Sequence, residues 1–192
     1  MMTIPFTVQN SAYAELAVCW IAWTLAFARP RKLASGQRSV LKAPASRWGI
    51  LFNFLGFGCV CAYVRPTGFE KTLPELVAAM LLAPPAVLLV WSATRHLGKQ
   101  WRFEAAISED HELVSTGVYA KLRHPIYASM LLMLLATGAA YTWWPMLVLG
   151  FVLFSIGIEI RVQAEDRLLA EHFQDVFFEY RGRVRAYIPF IR

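Results

Sequence analysis

The sequence predicts an all-α, polytopic membrane helix bundle of about five transmembrane helices, followed by a cytoplasmic C-terminal amphipathic helix. Three observations predict it. The 192 residues are 57% hydrophobic and only 17% charged, against roughly 25% charged in ordinary soluble domains. The apolar residues gather in five runs of helical length, several long enough to cross a hydrocarbon core. The cations alternate with those runs: the segment 29–47 holds six Lys and Arg, 95–123 holds five and 161–192 holds six, leaving only Arg65 and Lys71 elsewhere. The positive-inside rule then puts the N-terminus outside and the C-terminus in the cytoplasm. A chain of this length fits one domain, 1–192, with a three-span part at 1–94 and a second part at 95–192.

A net charge of +6 first suggests nucleic acid. Cations confined between apolar runs mark topology instead, so the expected partner is the lipid bilayer and no nucleic acid. Cys19, Cys59 and Cys61 all fall within apolar runs, where an odd count gives no disulfide framework. Nor do His111, His124 and the acids show zinc-ligand spacing, so no metal is expected.

Residues 1–10 lack a positive n-region and a cleavage site, so no cleaved signal peptide is expected. The first span, 12–28, contains Glu15, close enough to a helix end for its carboxylate to reach the interface. The second, 48–64, carries Gly49, Gly56 and Gly58; Gly56 and Gly58 are expected to let a neighbouring helix approach closely. The third, 75–94, is about 30 Å long as a helix, and Pro84-Pro85 at its centre should kink it. The fourth and fifth, 126–140 and 145–160, reach only about 22–24 Å and form a tight hairpin through Tyr141-Thr142-Trp143-Trp144. The two tryptophans there read as interfacial anchors. Beyond the fifth span, Val162, Leu169, Phe173, Val176, Phe177 and Tyr180 recur at helical spacing, while Asp166, Arg167, Glu171 and Asp175 face elsewhere.

The polar stretch 111–127 stands out between these runs. Pro125 can open a helix at its first turn, so Arg123 and His124 precede a helix end whose N–H groups would face an anionic or hydroxyl-rich ligand. Gly117 permits a turn that brings 111–114 back towards the same place. Further on, Arg161 and Glu165 lie four apart on one helix face, where the fifth span leaves the membrane. By spacing alone they are equally an ordinary ion pair or part of a site. Glu159 lies deeper, where an ionisable group usually faces a partner or a wet cavity.

The pattern Leu113-Val114-x-x-Gly117-x-Tyr119-x-x-x-Arg123-His124-Pro125-x-Tyr127, then Arg161-x-x-x-Glu165-Asp166, then Phe173, Tyr180, Val184 and Ile188-Pro189, resembles the isoprenylcysteine carboxyl methyltransferase family. The resemblance covers about residues 104–190. It implies a membrane enzyme that uses S-adenosylmethionine, releases S-adenosylhomocysteine and takes a lipophilic or prenylated acceptor. Carried over by residue, the cofactor contacts fall on His111, Glu112, Leu113, Val114, Tyr119, His124, Pro125, Ile126, Tyr127 and Glu165. Arg161 matches the arginine proposed to hold the substrate carboxylate, and it is taken with Glu165 as catalytic. Glu104 stands where the family has glutamine, Ser129 where it has glycine and Asp166 where it has a second glutamate.

Methyl transfer from a sulfonium needs alignment and exclusion of water. A carboxylate acceptor is ionised at neutral pH and requires no base. An amine or thiol acceptor would make His124 or Glu165 candidate bases. The expected activity is carboxyl methylation of an isoprenylcysteine-type acceptor at the cytoplasmic membrane face. Other readings are a phospholipid or small-amine N-methyltransferase, a membrane reductase using NADPH, and a non-catalytic scaffold.

Overall fold

The computed structural model describes residues 6–28, 39–62, 66, 69–98, 106–108 and 112–188. Among them, helix α1 spans Phe6–Ala28, α2 Ser46–Cys61, α3 Leu73–Leu97, α4 Pro125–Tyr141 and α5 Trp144–Arg183. Strands β1 (Ser39–Lys42) and β2 (Ala106–Ser108) pair antiparallel with a register irregularity between Ser39 and Leu41, joining the two polar segments outside the apolar runs. Thr7–Ala28, α3 and α5 are long and apolar enough to cross a membrane by length and composition, and α4 is a shorter apolar helix. Large apolar side chains point away from the protein, among them Val18, Phe54, Leu81 and Leu88 at 64–71% exposure. Water would penalise such a belt, whereas lipid does not.

Helix α4 is central. On one side Met133, Ala136 and Ala140 pack with Leu16 and Trp23 of α1 and with Ala79, Ala83, Ala86 and Val90 of α3. On the other, Tyr127, Leu131 and Leu134 pack with Val60 of α2 and Phe154, Ile158 and Val162 of α5. Helix α1 is fixed by indole N–H groups: Trp20 donates to Thr137 Oγ1 at 3.0 Å and Trp23 to Ser129 Oγ at 3.3 Å, while Trp91 of α3 donates to the Ala22 carbonyl at 2.8 Å. The serine at 129 thus has a donor of its own. Helix α3 begins with Glu75 accepting from the Thr72 backbone N–H at 2.8 Å, and it continues as one helix through Pro84-Pro85. The buried Lys71 ammonium donates to the Thr142 carbonyl at 2.5 Å and the Gly138 carbonyl at 3.4 Å. It closes the C-terminal turn of α4, where carbonyls lack helical partners.

Helices α2 and α5 run antiparallel in backbone contact. A Cβ added at Gly56 would lie 2.7 Å from the Gly150 carbonyl oxygen, and one at Gly49 would lie 2.7 Å from that of Gly157. Asn53 between them donates to the Phe154 carbonyl at 3.0 Å. Gly56 does what the sequence suggests, but its partner is Gly49 and not Gly58, which has open space around it. The reason is phase: 49 and 56 are two turns apart on one face.

The fifth helix does not end at Ile160. It continues past the apolar run to Gln174, whose φ of 46° breaks it before a final segment reaching Arg183. Beyond the break Phe177 and Tyr180 are buried as expected, whereas Val176 is 62% exposed.

Candidate active site

Three pieces of chain meet at the start of α4. A 3₁₀ turn, Gly117–Ala120, leads into it; Gly117 has φ 61°, and any side chain there would collide with the His96 ring at the end of α3. Residues 184–188, after α5, return alongside 122–124. Arg123 N–H donates to the Arg185 carbonyl at 2.8 Å and His124 N–H to the Ala186 carbonyl at 2.7 Å, and Leu122 bridges Arg185 in parallel. The Tyr180 hydroxyl donates to the Tyr119 carbonyl at 2.6 Å. The backbone N–H groups of Arg123 and His124 precede the first turn of α4 and are separate from the N–H groups of that turn. The returning strap takes both, since a buried N–H needs a partner and these carbonyls are within reach.

Side chains from α5 complete the cluster. His124 is buried, with Nδ1 3.3 Å from Glu165 Oε2 and Nε2 2.9 Å from Asp166 Oδ1. Burial alone would lower its pKa, but the hydrogen bonds and charges of Asp166 and Glu165 outweigh it and hold it at about 9. Geometry says the same: a ring with a carboxylate oxygen on each nitrogen donates from both, as only the imidazolium does. Burial pushes both carboxyls up, yet the bonds to His124 bring Asp166 and Glu165 below their ordinary values. Asp166 Oδ2 also accepts from Arg123 Nη2 at 2.9 Å, and Arg123 Nη1 donates to the Val184 carbonyl.

The Tyr127 hydroxyl donates to Glu165 Oε1. Its ring stacks on His124 with centroids 5.8 Å apart, and the Arg161 guanidinium carbon lies 5.1 Å from its centroid, a cation–π arrangement. Arg161 is buried at 7% exposure, at the edge of the apolar run. Glu165 keeps 26% side-chain exposure; it remains open on one side while holding Tyr127 and His124.

Of the residues singled out in the sequence, His124, Tyr127, Arg161 and Glu165 come together directly. Pro125 opens α4 and is buried, with Ile126 beside it. Tyr119 is buried and contributes its carbonyl, Leu113 packs against the cluster of Phe177, Tyr180 and Val184, Val114 is half-buried and Glu112 is exposed. His111 and Glu104 lie outside the described residues. Sequence reasoning missed the roles of Arg123 and Asp166. Both stood in the motif, and a second acid beside Glu165 was the available signal. It also missed the strap, although Val184 and Ile188 stood in the same motif.

A profile of the isoprenylcysteine carboxyl methyltransferase (ICMT) family matches residues 73–171. The chain is 34% identical over 94 residues to a protein-S-isoprenylcysteine O-methyltransferase of Saccharomyces cerevisiae, covering 43% of this chain and 34% of that one. It is 34% identical over 91 residues to the Schizosaccharomyces pombe protein of the same name, covering 44% and 36%. It is also 28% identical over 96 residues to the uncharacterized protein YpbQ of Bacillus subtilis, covering 50% and 56%. The chain thus spans about a third to a half of the length of these relatives.

Proposed function

The chain belongs to the isoprenylcysteine carboxyl methyltransferase family, and from that premise we propose that it transfers a methyl group from S-adenosylmethionine to the carboxylate of a lipophilic, isoprenylcysteine-type acceptor. The bundle crosses the bilayer five times as one domain, with the N-terminus outside and the site on the cytoplasmic face, where the cations gather. Nucleic acid has no part in it, and an amphipathic C-terminal helix covers the site.

The residues present suit the cofactor. An adenosine needs an apolar wall and hydrogen-bond acceptors. Glu165, held by the hydroxyl of the buried Tyr127, engages Tyr127 and His124 through two of about four lone-pair sites while staying 26% exposed. Val114 and Ile126 would supply apolar wall, and the family pattern adds His111 and Glu112 to the enclosure. When bound, the cofactor supplies an electrophilic methyl group on a sulfonium sulfur.

The observation that carries the choice of acceptor is His124 held on both ring nitrogens. An imidazolium has no lone pair with which to accept a proton, and Glu165, brought below its ordinary value by its bond to His124, is a weak base, so neither candidate serves the amine acceptor that would need one. A carboxylate needs none. Arg161 orients that carboxylate with a planar fork, Tyr127 holds the guanidinium from behind, and the packed α4–α5 wall excludes water. Glu165, tied to Tyr127 and His124, keeps the methyl-donor side of the site in register with Arg161.

The test is transfer of radiolabelled methyl from S-adenosylmethionine to S-prenylcysteine by the purified protein in lipid. A base-labile ester product is expected. Base-stable label in phospholipid amines, or NADPH turnover in its place, would overturn the proposal.

A further inference from the structure

Helix α2 lies before the residues matched to the family, 73–171, yet its first turns touch the arginine of the candidate site. A Cβ at Gly49 would run into Arg161 Cγ and lie 3.3 Å from Arg161 Cδ. The stem of Arg161 therefore lies across the bare backbone of α2, and on its other side the guanidinium sits over the Tyr127 ring, 5.1 Å from the centroid. The side chain is held between a backbone and a ring. With carbon atoms needing about 3.5–4.0 Å, one methyl group at 49 must displace the arginine stem by about 1 Å.

From this geometry we infer that Gly49 is a positioning residue for the methyl acceptor: its missing side chain sets where the Arg161 guanidinium stands, so α2 contributes to acceptor binding without touching the cofactor side. The inference rests on the reading of Arg161 as the acceptor's carboxylate anchor. It predicts a division of labour. Glu165, His124 and Tyr127 are fixed by α4, α5 and the strap, and so cofactor affinity does not depend on residue 49. Acceptor affinity does.

The same helix pair contains its own control. A Cβ at Gly56 would be 2.7 Å from the Gly150 carbonyl oxygen and 2.8 Å from Phe154 Cβ. Gly56→Ala thus strains the α2–α5 contact as Gly49→Ala does, two turns away from Arg161. Both variants would be compared with the unsubstituted protein for KM with S-prenylcysteine, kcat, and S-adenosylhomocysteine binding by calorimetry. A misplacement of about 1 Å at a reacting group can cost on the order of 10²-fold. Gly49→Ala should accordingly raise acceptor KM by about tenfold or more, with cofactor binding within twofold of normal, while Gly56→Ala leaves KM unchanged.

Equal KM effects from both variants, or none from Gly49→Ala, would overturn the inference. If Gly49→Ala does not fold, photolabelling the unsubstituted protein with an S-prenylcysteine carrying a diazirine on its N-acyl group decides. Label in the α2 peptide around 46–53 supports the inference, and label confined to α4 and α5 refutes it. Failure of the unsubstituted protein to turn over S-prenylcysteine would defeat the carboxylate reading itself, and this inference with it.

Discussion

Raising the pH should loosen the protein, and the cause should trace to one imidazole. His124 sits between Glu165 and Asp166, with Arg123 behind Asp166 and Tyr127 stacked alongside. Its pKa stands at about 9, against 6.5 for the free side chain. At about 1.4 kcal/mol for each tenfold change in proton affinity, that difference corresponds to about 3 kcal/mol. The sign follows from linkage: between 6.5 and 9 the folded state binds a proton that the unfolded state has lost, so stability falls with rising pH. The contribution is complete below pH 6.5 and gone above about 9. The assay is the melting temperature in detergent from pH 6 to 10, for the unsubstituted protein and for His124→Gln. The first should fall through this window, and the second, though less stable throughout, should be flatter by about 3 kcal/mol. Parallel curves would refute the reasoning, as would ¹⁵N imidazole resonances showing a neutral His124 ring at pH 7.5.

Asp166→Asn leaves Arg123 and His124 short of a buried counter-charge; it should cost about 3 kcal/mol, the low end for breaking a buried pair, read as a lower melting temperature with weaker S-adenosylhomocysteine binding. Arg161→Ala should lower kcat/KM for S-prenylcysteine by about 10–100-fold, the worth of a charge-assisted hydrogen bond, while leaving S-adenosylhomocysteine binding measurable by calorimetry. Tyr127→Phe keeps the ring under Arg161 but removes the hydroxyl bonded to Glu165; a loss of about 1–2 kcal/mol should appear in cofactor binding. Lys71→Met strips the Thr142 carbonyl of its Lys71 donor and should destabilise by about 1–3 kcal/mol, lowering the melting temperature without changing acceptor KM in the protein that remains folded.

The helices were legible because apolar runs in lipid leave the backbone little choice but to bond within itself. Their starts at Pro125 and near Pro145, and the turn at Gly117, were legible because these residues fix backbone angles locally. Contacts made at long range were not. Nothing near Gly49 reveals that Arg161 will lie on it, and choosing Gly58 over Gly49 was a matter of helical phase that only the partner helix decides. The motif carried His124, Tyr127 and Glu165 into one place, but the partners of Arg123 come from 58 and 61 positions away as well as from Asp166. The tail pattern failed at Val176, just past the left-handed Gln174, while Phe177 and Tyr180 beyond it are buried as the pattern expects.

The returning strap has a consequence for biosynthesis. Tyr119 and Tyr180 are 61 positions apart, and the Arg185 and Ala186 carbonyls that hold Arg123 and His124 are translated after α5. The apolar segments can enter lipid one by one as they emerge, but the polar centre cannot close until residues 184–188 have emerged and folded back. A nascent chain would therefore be inserted before it was competent. Emergence of the 184–188 segment, and not integration of the earlier helices into the bilayer, would be the step that completes the polar centre.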